Sequence, residues 1–348
     1  MKTRILVYGA YGYTGDLVVR LAKVEEHDVI VAGRRKEATE TLANELGFEA
    51  RVFDLEDTAA HLADVAVVIH CAGPFSRTAT SMVKACLATK THYTDVTGEV
   101  GVFESLMRRD AEAKTAGVML MPGCGFDVVP SDCLSAHLAN RIKDPTHLTL
   151  AFYGGASRSH GTATTMVENL AKGCAIRRDG KLVPIRAGSL NRTIDLGHGP
   201  ITTSAIPWGD LSTAFRSTGI PNITVFTGVK RLPRFAMKVI GFMPWLVGNG
   251  PVQRLLKKKI DKMPAGPTAE MRARAKTYLW GEVTNAAGER AETRLTTPEG
   301  YSLTAATALD IAVRVTRGEG QPGFQTPSAV FGPDFILSFA GTERVDVE

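Results

Sequence analysis

From Thr3 to Met121, short apolar or β-branched runs alternate with stretches whose apolar residues recur at helical spacing. This alternation predicts a parallel sheet with helices on both faces. Strands are expected near Arg4–Tyr8, Asp28–Ala32, Ala50–Phe53, Val65–Ala72, His92–Asp95 and Val118–Met121. Helices are expected near Gly15–Val24, Glu37–Leu46, Thr78–Thr89 and Val102–Ala116. The run Val65-Ala66-Val67-Val68-Ile69 has no polar alternation, so both its faces must be covered, as in a central parallel strand.

Beyond Met121 longer strands and hairpin signals replace the regular alternation. Lys276–Asn285 and Glu289–Thr297 read as an antiparallel hairpin with Gly288 at its turn. Tyr301–Arg317 reads as a helix stopped by Gly318. In the tail Gly323–Phe339, Pro327 and Pro333 break any long helix. The expected class is α/β, a doubly wound parallel sheet followed by a second, mixed α/β domain. The expected boundaries are 1–130 for the first domain, 131–320 for a substrate domain, and 321–348 for a C-terminal segment packing back on the first.

Composition agrees with two compact domains. The chain has 348 residues, 44 % hydrophobic and 22 % charged, which argues against long disorder, collagen and coiled coil. No stretch reaches the ~18 apolar residues of a spanning helix, and Met1 leads directly into a strand without a signal-peptide core. A cytoplasmic location is expected. The cysteines, Cys71, Cys86, Cys124, Cys133 and Cys174, form no CxxC pair and sit beside no His at metal-ligand spacing. Reduced thiols and no metal are expected. A net charge of +5 is too small for a nucleic-acid-binding field, so no nucleic-acid partner is expected.

Candidate chemistry begins at Tyr8–Gly15, where Gly9, Gly12 and Gly15 fall between the first strand and the first helix. That context is the phosphate turn of a Rossmann dinucleotide-binding domain, with Tyr11, Tyr13 and Thr14 beside the pyrophosphate. About 20 residues on, NAD sites carry an acid for the ribose 2′-hydroxyl. Here Gly33-Arg34-Arg35 offers two guanidinium groups to a 2′-phosphate, so NADP(H) is expected. Asp54 after the third strand is assigned to the adenine side, and Cys71-Ala72-Gly73-Pro74-Phe75 after the fourth to the nicotinamide ribose.

The reaction is less legible. No tyrosine has a lysine four residues on, which disfavours short-chain-dehydrogenase chemistry, and HExxH, GxSxG and GxxxxGKS are absent. Three segments taken with the glycine turn resemble the saccharopine dehydrogenase-like (saccharopine reductase-like) NADP-binding oxidoreductases, in the bacterial branch that includes trans-acting enoyl reductases. They are His92–Glu99, Pro122–Asp132 and Gly323–Pro327. The resemblance implies a Rossmann domain, a mixed α/β substrate domain and a hydride transfer to or from nicotinamide. Asp95 ends a strand and Gly125, Phe126 and Asp127 follow the last strand on the cofactor side; all four are candidates for substrate contact, although Asp95 also suits a helix cap and Asp127 suits one better. Tyr93 and His160 are candidate donors that polarise the acceptor; Tyr93 equally suits the core, and Thr162 either caps a helix or contacts substrate.

Three functions are compatible with these residues. One is reduction of a C=C or C=O bond in a hydrophobic or lipid-like substrate. Another is saccharopine-type C=N chemistry, for which Arg158, Arg177, Arg178 and Arg186 offer carboxylate partners. The third is NADP(H) binding without catalysis. Residues 231–262 carry eight Lys or Arg against Asp261 alone, so the whole basic excess is local. Trp245, Phe242 and other apolar residues lie between the charges, and after Pro251 an amphipathic helix is expected. That segment suits either the surface of an anionic membrane, making the protein a peripheral one, or a core or homodimer interface.

Overall fold

The structure is a computed structural model that describes residues 2–157, 159–169, 173–229, 249–260 and 262–347. The chain forms two compact units, Met1–Val129 with Tyr301–Phe331, and Pro130–Gly300 with Gly332–Glu348.

The first unit alternates strand and helix as its pattern requires. It runs β1 (Arg4–Tyr8), α1 (Tyr13–Val24), β2 (Val29–Gly33), α2 (Lys36–Leu46), β3 (Glu49–Val52), β4 (Val65–His70), α3 (Phe75–Thr89), β5 (His92–Asp95), α4 (Val100–Met107), α5 (Asp110–Ala116) and β6 (Met119–Met121). All neighbouring strands pair in parallel, in the order β3-β2-β1-β4-β5-β6. This is the doubly wound dinucleotide-binding order, with the reversal between β1 and β4. Every residue of β2 and of β4 is buried, which explains their unbroken apolar runs. Leu6, Ile30, Val68, Met82, Phe103 and Leu120 share one core across sheet and helices.

Two local expectations change. The helix expected over Val102–Ala116 is two helices, because the amide of Arg109 bonds the Leu106 carbonyl in an i→i+3 turn that interrupts the α ladder. The helix after β4 begins at Phe75 rather than Thr78, since a carboxylate described below satisfies its first amides.

The second unit begins along α6 (Val129–Ala139) and contains β7 (Pro145–Gly154), β8 (Cys174–Arg178), β9 (Lys181–Ile185), β10 (Asn191–Asp195), β11 (Pro200–Ala205), β12 (Asn222–Gly228), β13 (Lys276–Asn285) and β14 (Arg290–Pro298). β13 and β14 form the expected hairpin, with Gly288 at φ 83°. β15 (Gly323–Phe324) joins the first sheet beside β6, and β16 (Glu343–Val347) joins the second beside β14. The second sheet runs β10-β11-β12-β7-β13-β14-β16, with β8 and β9 attached at β12. Gly281 of β13 lets the sheet meet α6, since a Cβ there would lie 2.4 Å from Leu138.

The boundaries therefore differ from a division in simple chain order. The helix Gly300–Thr316 lies almost wholly in the first unit, where Leu303, Ala308 and Ile311 are buried and Thr304 and Thr307 bond the chain beyond β6. Of the tail, residues up to Phe331 stay with the first unit, whereas Gly332–Glu348 belong to the second because β16 completes its sheet. Among the described residues no helix is long and apolar enough to cross a membrane, and all five cysteines are free thiols.

Candidate functional site

The carboxyl ends of β1 and β4 part at the strand-order reversal, and the glycine turn lies there. Gly9 adopts φ +82°, and a Cβ on it would come 2.9 Å from Ala72, so the turn passes directly against the loop after β4. Gly15 would bring a Cβ to 2.4 Å from the Gly9 carbonyl oxygen, so only hydrogen lets α1 start this close to the turn. Gly12 is the N-cap of α1 and, having no side chain, leaves the first amides of the helix without a side-chain cap. Those N–H groups and the positive end of the helix dipole suit an anion such as a pyrophosphate. Tyr11, Gly12, Tyr13 and Thr14 all lie in this turn or the first helical turn.

The other cofactor candidates sit on the same edge. Gly33 ends β2, and Arg34 and Arg35 follow it exposed, with the Arg35 guanidinium 4.3 Å from the Tyr11 ring centroid. Asp54 is exposed just past β3. The Tyr8 hydroxyl donates to the Phe53 carbonyl at 3.1 Å, tying the end of β1 to the end of β3. Burial pushes the Tyr8 phenol up to about 12, with the Asp54 charge adding to the rise.

Cys71–Phe75 is gripped from two sides. The Thr78 hydroxyl reaches the Ala72 carbonyl at 2.8 Å and the Pro74 carbonyl at 3.2 Å, and the His70 Nε2 lies 2.9 Å from the same hydroxyl. Burial pushes the His70 imidazole down to about 3, so the ring is neutral at neutral pH. From the other side, the Glu99 carboxylate accepts the amides of Phe75 at 2.8 Å and Ser76 at 3.3 Å, holding the start of α3. Neither His70 nor Glu99 was assigned a role from sequence. Glu99 lies 24 residues from its partner, and His70 reads as one polar residue closing an apolar strand.

Beyond β5 and β6 lie two carboxyl groups, Asp95 fully buried and Asp127 partly exposed. Asp95 accepts from the Tyr93 hydroxyl at 2.6 Å, from the Thr97 amide at 2.9 Å and from the Gly123 amide at 2.9 Å. Burial raises its carboxyl to about 6 against the opposing pull of those bonds. Asp127 packs over Gly98, where a Cβ would meet its Oδ2 at 2.6 Å, and burial raises its carboxyl to about 7. Gly125 is covered by Thr304, whose Oγ1 accepts the Phe126 amide at 2.9 Å. Thr304 and Tyr301, whose ring meets that of Tyr13 edge-on at 5.0 Å, were missed because they lie far along the sequence.

Of the two candidate donors, Tyr93 is placed differently from expectation. Tyr93 is a core residue with no exposed surface, and its hydroxyl is spent on Asp95. Its reading as a donor to substrate is corrected accordingly: the strand pleat turns it inward, where it supports Asp95. His160 opens the helix His160–Asn169 of the second unit, with its Nε2 2.5 Å from the Met263 carbonyl. Thr162 lies in the first turn of that helix, with Ser159 Oγ 3.3 Å from its amide, a capping arrangement. Arg177 is buried, donates to the Leu211 and Gly180 carbonyls and stacks 4.3 Å over Phe215, which makes it a structural cation rather than a carboxylate ligand. Arg178 and Arg186 are exposed, and Arg158 lies outside the described residues. Residues 230–248 also lie outside them, with most of the basic and apolar segment. Of its remainder, Gly250–Ile260 is helical, with Arg254, Lys258 and Lys259 exposed and Ile260 buried.

Comparison with known proteins agrees with this geometry. Residues 5–121 match the family model described as "Saccharopine dehydrogenase NADP binding domain". The chain is 32 % identical over 149 residues to a trans-acting enoyl reductase of Mycobacterium leprae, covering 40 % of this chain and 36 % of that one. It is 29 % identical over 182 residues to a protein of the same name from Mycobacterium ulcerans, covering 47 % and 44 %. A lipid droplet localized protein of Caenorhabditis elegans is 31 % identical over 147 residues, covering 37 % of this chain and 34 % of that one. The matched stretches thus span less than half of each relative's length. In fold, the chain is similar to apo saccharopine dehydrogenase (L-Glu forming) from Saccharomyces cerevisiae, with a TM-score of 0.67, 14 % identity, and coverage of 99 % of this chain and 100 % of that one. Residues 5–121 therefore match an NADP-binding domain of the saccharopine dehydrogenase type, and the chain as a whole shares the fold of the yeast protein.

Proposed function

We propose that the protein catalyses hydride transfer between NADP(H) and a C=C or C=O bond of a hydrophobic or lipid-like substrate. The observation that carries this reading is the edge of the first sheet. An uncapped helix start at Gly12 faces a glycine turn, and two exposed arginines without an intervening acid follow β2. The names of the mycobacterial relatives favour an enoyl acceptor, and that of the nematode relative favours a lipid environment.

When bound, NADPH supplies the hydride and its electron pair, and the acceptor takes up one proton to complete the reduction. The chain binds and orients. The amides at the start of α1 hold the pyrophosphate, Arg34 and Arg35 hold the 2′-phosphate, and Cys71–Phe75, fixed by Thr78 and Glu99, borders the nicotinamide ribose. Asp127, with its carboxyl near 7, holds a proton for part of the time at neutral pH and is a donor to a substrate oxygen. The exposed basic residues of the helix Gly250–Ile260 suit contact with an anionic lipid surface.

The deciding experiment combines NADPH and NADH titrations with an oxidation assay on enoyl, keto and imine substrates. Turnover of an enoyl or keto substrate with NADPH supports the reading. Turnover of imines alone replaces it with C=N chemistry, and tight binding without any turnover replaces it with a non-catalytic binder. Arg34→Asp sets a carboxylate against the 2′-phosphate and removes a charge-assisted pair worth roughly 1.5 to 3 kcal/mol, so NADPH affinity should fall at least ~tenfold while NADH changes little.

A further inference from the structure

We propose that Tyr11 is a specificity-determining residue: its ring holds the Arg35 guanidinium ready for a 2′-phosphate and fills the place that a 2′-hydroxyl-selecting carboxylate would need. The inference rests on the cofactor reading above and deepens it by naming what sets the choice between the two nicotinamide cofactors.

Gly33 is the last residue of β2, the region in which NAD-selective sites carry an acidic side chain. A Cβ at Gly33 would lie 2.4 Å from Cε1 and 3.1 Å from Cδ1 of Tyr11, and 3.2 Å from Oγ1 of Thr39. The Tyr11 ring has therefore reached across from the glycine turn and settled on the bare Cα. Thr39 closes another side and is itself fixed, since its hydroxyl donates to the Arg35 carbonyl at 2.8 Å. No acidic side chain can enter at Gly33 while the ring stays there.

The same ring carries the cation. The Arg35 guanidinium lies 4.3 Å from the Tyr11 centroid, and the Arg35 backbone is anchored as the N-cap of α2, with its carbonyl accepting the Thr39 amide at 3.0 Å. An exposed arginine head otherwise samples many rotamers, and a stacked aromatic face narrows them. Among the described residues neither Arg34 nor Arg35 is joined to a carboxylate, so both charges remain available to an anion. Tyr11 thus acts through Arg35 as a positioning residue and through Gly33 as a steric exclusion.

The test is equilibrium titration of NADPH and NADH on the full chain, without turnover, with thermal melting of every variant. Tyr11→Leu keeps an apolar cover over Gly33 but removes the π face. It should weaken NADPH about fivefold and leave NADH within about twofold. Tyr11→Phe should behave like the wild type. Arg35→Ala should lose NADPH affinity, and Tyr11→Leu added to it should cost little more, because the two residues act as one unit. Gly33→Asp alone should melt lower and bind neither cofactor well, whereas Gly33→Asp with Tyr11→Ala should fold and prefer NADH. Equal weakening of both cofactors by Tyr11→Leu, additive losses in the double variant, or an unchanged preference in the Gly33/Tyr11 pair would each overturn the inference. If Tyr11→Leu does not fold, Arg35→Ala and the Gly33/Tyr11 pair still decide it. A wild type with no preference for NADPH would instead strike the cofactor reading itself, and the inference with it.

Discussion

The carboxylate of Glu99 accepts the amide of Phe75, 24 residues earlier, at 2.8 Å, and so anchors the start of α3 to the end of the loop after β5. A carboxylate at a helix N-terminus satisfies orphan amides and complements the dipole. Glu99→Ala should cost about 1–2 kcal/mol, on the scale of a lost N-cap. Because the same contact holds the Cys71–Phe75 loop, NADPH affinity should fall together with the melting temperature. Glu99→Gln retains one acceptor and should lie between. Calorimetric melting with NADPH titration checks both, and a destabilised variant with unaltered affinity would separate the loop from the cofactor.

The glycines of the first turn should respond differently to the same substitution. A Cβ at Gly12 would meet only the Gly9 carbonyl, at 3.2 Å, so Gly12→Val should fold while losing NADPH and NADH alike, its side chain standing where the pyrophosphate approaches. At Gly15 the Cβ would lie 2.4 Å from the Gly9 carbonyl and 2.7 Å from the Ala10 Cα, so Gly15→Val should lose stability before any ligand is added. Circular-dichroism melting and fluorescence titration distinguish the two. Normal binding by folded Gly12→Val would make the turn structural only.

The pH dependence of stability follows from Asp127. Its carboxyl rises from 3.8 to about 7 in the folded chain, so the folded state keeps a proton that the unfolded chain releases. The stabilisation is complete below about pH 4 and is lost as pH climbs toward 7. Asp127→Asn stays neutral throughout, so its melting temperature relative to the wild type should improve between pH 4 and 7, by roughly a few degrees. Asp95, raised to about 6, works in the same direction and should leave part of the fall in the variant. A constant gap across that range would mean that Asp127 is ionised when folded.

For the lipid-surface reading, the described part of the basic segment gives a direct test. Arg254, Lys258 and Lys259 are exposed on the helix Gly250–Ile260. Sedimentation with vesicles of mixed zwitterionic and anionic lipid should show binding that weakens with salt and is lost in Lys258→Glu/Lys259→Glu, with melting unchanged. An absence of binding at low salt would turn that face over to a protein partner or to solvent.

The alternation of apolar runs and helical periods was sufficient to specify β1 to β6 of the first sheet, because a central strand such as β4 must be apolar on both faces and each crossover must be long enough to return, whereas β15 arrives from a distant part of the chain with no such signal. The glycine turn and Arg34-Arg35 were legible for the same local reason: strand, turn and helix are contiguous, and residues at a strand's carboxyl end share one edge. What tertiary structure alone decided was which distant groups meet there. Glu99 reaches Phe75, Thr304 reaches Phe126, and Tyr11 reaches across to Gly33 and Arg35. Tyr93 was ambiguous in sequence, and the pleat and the Asp95 carboxylate turned it into a core residue. The helix Gly300–Thr316 follows a hairpin of the second sheet yet packs with the first, and chain order carries no sign of this. Periodicity says which face of an element is apolar, whereas its partner is chosen by the shapes and unpaired polar groups that the rest of the folded chain presents.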